Sequence, residues 1–66
     1  MTRTVTQSYL DGIAEGRALK RQGVTPADAL PGLAALCRQF TADSPVGQLY
    51  RGERDFWRLQ LKKGSV

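Results

Sequence analysis

Twice in this chain a hydroxyl residue stands directly before a proline, at Thr25-Pro26 and at Ser44-Pro45. A hydroxyl there accepts a hydrogen bond from one of the unpaired first-turn amides of the helix that follows. Proline suits the next position, where its missing N–H costs nothing and its fixed φ matches the helix. Ahead of the first start stand Lys20, Arg21 and Gly23, the pattern of a helix end: cations near the negative end of the dipole, then a residue that tolerates positive φ. Lys62, Lys63 and Gly64 repeat that pattern. The spacing predicts helices over 5–22, 26–41 and 45–63, with Asp28 as the acidic member of a capping box behind Thr25. The first few residues and 64–66 are expected to fray. No hairpin dipeptide, β-branched alternation or internal repeat competes. The chain reads as one all-α domain, a small bundle of about three helices. Pro31 leaves the middle segment open, as one helix or as a turn at 26–30 followed by a helix from 31.

Steps of about 100° per residue define the faces. On the first helix Val5, Tyr9, Gly12, Ile13, Gly16 and Leu19 share one side, opposite Asp11, Glu15 and Gln22. Each of the two glycines costs about 1 kcal/mol of helix propensity relative to alanine. Close approach of another helix offsets that cost, from this chain in the first reading or from a second copy in the sharper one. The middle helix buries Leu30, Leu33, Leu36, Cys37 and Phe40. The last helix is the widest, with an apolar arc of roughly 200° where a docking helix needs about 100°. Leu49, Gly52, Phe56 and Leu59 form one half of that arc, and Val46, Tyr50, Trp57 and Leu61 the other. Glu53 and Gln60 lie between them, and Glu53 would need a hydroxyl, an arginine or water if buried. The surplus arc points to a further contact, with a homodimer as its simplest form.

Composition narrows the chemistry. A chain of 66 residues forms a single small core. With no histidine and one cysteine, neither a Ser-His-Asp or Cys-His nucleophile pair nor a Cys/His zinc site can be built. Cys37 reads as a small buried hydrophobe with an inert thiol. Asp11 and Glu15, one turn apart, share a face but lack a third ligand, so they read as a solvated surface. No glycine-rich phosphate loop, membrane-length apolar run or signal segment is recognisable. The expectations are no enzyme, no cofactor, no metal, no membrane, no small-molecule substrate and a cytoplasmic setting.

Net charge +4 favours acidic partners. Arg51, Arg54, Arg58 and Lys62 fall within about 80° of one another on the last helix, with Lys63 beside them. Such a stripe reads first as a solvated face; it can also serve a nucleic-acid backbone or an acidic protein partner, although Asp55 lies inside it and can pair with Arg51 and Arg58 at helical spacing. A helix-turn-helix fits poorly, because its recognition helix would contain Pro31.

The segments SYLDGIAEGR (8–17) and SPVGQLYRGERDFW (44–57) resemble those of small proteins from bacteriophages and prophages. That resemblance implies an accessory product that binds a host or phage protein, or one that binds DNA, and it transfers no site residue. The preferred expectation is a non-enzymatic protein-interaction module whose contact surface uses Tyr50, Trp57 and Leu61 as anchors, rimmed by Arg54 and Arg58. The alternative is a small basic DNA-binding regulator using Arg51, Arg54, Arg58, Lys62 and Lys63.

Overall fold

The computed structural model describes residues 6–64. Of the ends expected to fray, the first few residues and 64–66, those at 1–5 (Val5 included) and 65–66 lie outside them, while Gly64 closes the last helix. Three helices follow in order: α1 (Gln7–Arg21), α2 (Pro26–Gln39) and α3 (Pro45–Gly64).

Each boundary follows from local chemistry. α1 starts two residues later than its apolar spacing predicts, because the Thr6 hydroxyl accepts the Tyr9 amide at 3.1 Å and acts as the cap. It ends in a Schellman turn: the Gly23 amide donates to the Lys20 carbonyl at 3.0 Å and the Val24 amide to Leu19 at 3.1 Å. That turn needs the left-handed region, and Gly23 takes it at φ 96°. Thr25 caps α2 as expected, accepting the Asp28 amide at 3.3 Å. Asp28 returns the contact by accepting the Thr25 hydroxyl at 2.8 Å, in place of the backbone amide of a true capping box. Ser44 caps α3 through the Gly47 amide at 3.0 Å.

α2 runs unbroken through Pro31, which settles the question left by the sequence. Ala27, Pro31 and Gly32 all face solvent, so water can serve the Ala27 carbonyl that loses its helical donor.

α3 is the centre of the molecule. α1 and α2 each pack against it, and no Cα of α1 comes within 8 Å of one in α2. α1 and α3 run parallel: Thr6 meets Gln48, Tyr9 meets Asp55 and Lys20 meets Gln60 in ascending order. α2 returns antiparallel, so that Phe40 meets Tyr50 and the Cys37 carbonyl meets Arg51. Each half of the wide arc on α3 therefore has its own partner within the chain. Gly52 and Phe56 face α1, while Tyr50 stacks on Phe40 and Trp57 joins Leu33 in the core. Gly52, Phe56, Tyr50 and Trp57 account for much of the arc within the chain, while Val46, Leu59 and Leu61 on it stay exposed.

The α1–α3 contact is backbone on backbone. A Cβ on Gly12 would run into the Leu49 carbonyl and stand 3.0 Å from the Glu53 amide. A Cβ on Gly52 would strike the Tyr9 carbonyl and lie 3.3 Å from the Gly12 Cα. One turn on, the Phe56 ring fills the notch at Gly16, 2.6 Å from where a Cβ would sit. The stripe of glycines in α1 is thus consumed inside the chain. Below it lies the core of Leu33, Phe56 and Trp57, covered by Ile13, Leu19, Val24, Leu30 and Leu36. Phe56 and Trp57 meet edge to face, 5.1 Å between centroids at 81°. Cys37 is a buried free thiol, in the place its spacing implied.

Gly12→Ala is expected to destabilise the fold by about 1–3 kcal/mol through overpacking. At the exposed Gly32, where nothing lies within 4 Å of an added Cβ, alanine should instead add about 0.5–1 kcal/mol. Thermal melts of the two variants should move in opposite directions.

Candidate functional site

The residues expected to form a contact surface do not stay together. Trp57 is completely buried and is a core residue, because its half of the α3 arc closes over α2. It cannot be a surface anchor in this fold. Tyr50 is half-buried against Phe40, with ring centroids 5.6 Å apart. Arg58 and Leu61 are exposed, Leu61 to 51%. Arg54 is turned to Asp55, its Nη2 3.2 Å from Oδ1.

The basic stripe is likewise divided. Arg51 is half-buried and donates through Nη2 to the Cys37 carbonyl at 3.3 Å, tying α3 to the end of α2. Arg54 holds Asp55 through both Nε and Nη2. Asp55 therefore pairs with Arg54, and not with Arg51 or Arg58 as helical spacing suggested. Its other oxygen accepts the Tyr9 hydroxyl at 2.5 Å, a latch between α1 and α3. That hydrogen bond, with burial and the Asp55 charge, pushes the Tyr9 phenol above its ordinary pKa against the opposing pull of Arg54. Arg58, Lys62 and Lys63 remain exposed.

A different set of cations comes together. Because α1 and α3 are parallel, Lys20 at the end of one lies near Lys63 at the end of the other, with Arg21 next to Lys20 on the same wall. Past the Gly12–Gly52 crossing, the seam between the two helices opens into shallow hollows that meet at Gln60. One, of about 490 Å³, is lined by Arg17, Lys20, Arg21, Phe56 and Gln60. Its neighbour along the seam, of about 380 Å³, adds Tyr9, Ile13, Asp55, Leu59 and Lys63. A third, at the base, is bounded by Lys20, Val24, Thr25, Pro26, Trp57 and Lys63. Lys20 Nζ donates to Gln60 Oε1 at 2.7 Å and bridges the seam. Arg17, Lys20, Arg21 and Lys63 are exposed, and Leu59 on the same wall is 49% exposed. The sequence reading missed Arg17, Lys20, Arg21, Leu59 and Gln60 as a group. The signal was present in the matching basic ends of α1 and α3, read there as dipole partners and, for Lys62 and Lys63, as phosphate contacts, but never as one cluster.

The acidic side chains form no metal centre: among the described residues no group of three His, Cys, Asp or Glu side chains could hold an ion. Asp11 is exposed and accepts from Gln7 Nε2 at 2.9 Å. Glu53 is buried, and none of the hydroxyl or arginine partners its position called for reaches it among the described residues. Burial pushes its carboxyl above the ordinary range, and the nearby Glu15 charge adds to the effect. The buried indole Nε1 of Trp57 and Nε of Arg51 are also without acceptors among the described residues.

Among the described residues no helix is long and apolar enough to cross a membrane. No family model, curated protein or solved structure matches the chain.

The raised Glu53 pKa means that the folded state binds its proton more tightly than the unfolded chain does. The associated stability is fully present below the unfolded carboxyl pKa and is lost as pH rises through the folded one. Glu53→Gln should therefore raise the melting temperature near neutral pH. That advantage should vanish at about pH 4 and below, where the native side chain carries its own proton.

Proposed function

We propose that this chain is a non-enzymatic interaction module that binds a protein partner along the seam between α1 and α3. The observation that carries this reading is the open half of that seam, where the half-exposed Leu59 stands among exposed cations from two helices. Apolar surface flanked by arginine and lysine, on rigid helices, suits a protein contact. The resemblance of segments 8–17 and 44–57 to small phage and prophage proteins supports an accessory role toward a host or phage protein. This surface replaces the one built on Trp57 and keeps the character of that earlier reading, apolar anchors rimmed by cations.

The DNA-binding alternative draws less support. Arg51 and Arg54 are occupied within the chain, which leaves Arg58, Lys62 and Lys63 from that set for phosphates.

A photo-reactive benzoylphenylalanine in place of Leu59, introduced in cells of the source organism, should yield a discrete protease-sensitive adduct. The same group in place of Gln39, exposed on α2, should not yield it, and Arg17→Glu with Lys63→Glu should remove the adduct at 59. Equal adducts at both positions would discard the surface, and a nuclease-sensitive product would transfer the reading to nucleic acid.

A further inference from the structure

Resting on that reading, we propose that the seam takes an acidic, leucine-bearing segment of the partner. Its carboxylates would meet Arg17, Lys20, Arg21 and Lys63, and its apolar side chains would lie over Ile13 and Leu59.

Of the residues around the two seam hollows, Asp55 is the acidic one, and both its oxygens are already engaged, by Tyr9 and by Arg54. It lines the second hollow together with Arg17 and Lys63, and the Arg54 guanidinium offsets its charge there. The field over the open half is therefore positive and largely unopposed, which draws in carboxylates and repels a basic surface. Lys20 spends one of its three donors on Gln60, and the rest face outward.

The floor then chooses among anions. Ile13 is half-buried, Phe56 lies beneath, and Leu59 stands half out of the protein. A phosphate backbone gains nothing from such a strip, whereas a segment alternating carboxylates with leucines covers it and meets the cations together. Gln60, placed where the hollows join, offers an amide N–H to a peptide carbonyl or carboxylate while its oxygen holds Lys20.

Four fluorescent probes titrated against the full chain test this by anisotropy: a short Glu/Leu peptide, its Gln/Leu counterpart, polyglutamate and a DNA duplex. The Glu/Leu peptide is expected to saturate, and the other two peptides to bind at least about tenfold more weakly. Arg17→Glu with Lys63→Glu should lose about tenfold for the Glu/Leu peptide and gain a Lys/Leu peptide instead. Neither side chain is used by a hydrogen bond or ion pair described above, and the blue emission of the sole tryptophan verifies that the variant is folded. Equal binding of Gln/Leu or of polyglutamate would overturn the proposal, as would a folded variant with unchanged affinity. Tighter binding of DNA, falling steeply between about 50 and 200 mM salt, would overturn it in favour of nucleic acid. If no probe binds while the adduct at position 59 persists, the acidic chemistry fails and the protein-binding reading stands. If the adduct is absent and the Glu/Leu peptide binds, the reverse holds.

Discussion

The fold depends on two helix backbones meeting without side chains between them. Gly12 rests against the Leu49 carbonyl and Gly52 against the Tyr9 carbonyl, so α1 and α3 approach as closely as their main chains permit. For a chain of this size, dispersion contacts across such a crossing compensate for the small apolar volume available. The crossing also sets direction and register. With α1 parallel to α3, Phe56 fits the notch at Gly16 and Lys20 reaches Gln60.

That register explains how α3 uses so broad an apolar arc. Flanked on one side by α1 and on the other by α2, it serves as the shared wall of two helix pairs. Trp57 is sealed because the middle of the arc's second half closes over α2, while Val46 and Leu61 at its ends stay exposed. Glu53 falls on the line between the two halves and is largely buried there, with no hydroxyl or arginine partner among the described residues. Its placement illustrates the cost of a polar residue on a helix that is covered from two sides.

Helix number, the caps at Thr25 and Ser44, the Gly23 turn, the core position of Cys37 and the intrachain use of the glycine stripe were all legible from residue type and spacing. These are local signals, or signals of one face. The start of α1 was harder to place, since Thr6 carries no proline behind it to mark the cap. The cluster of cations along the seam was not legible, for a reason of topology. Helical spacing groups Arg51, Arg54 and Arg58 on one helix, but it does not reveal that a carbonyl of α2 and the Asp55 carboxylate take the first two. Nor does it place Arg17 beside Lys63, which are brought together by the parallel pairing of helices distant in sequence. Short loops joining three helices imply an up-down-up path, and taking that step would have set the two basic ends side by side.

The crossing and the cations of the seam occupy different positions along the same pair of helices. At 12 and 52 any residue with a side chain collides with main chain, so drift there is barred by geometry. At 17, 21 and 63 the side chains project into solvent and carry little of the architecture. A lineage of such proteins could exchange those charges freely, changing the electrostatics of the seam while inheriting an unaltered scaffold.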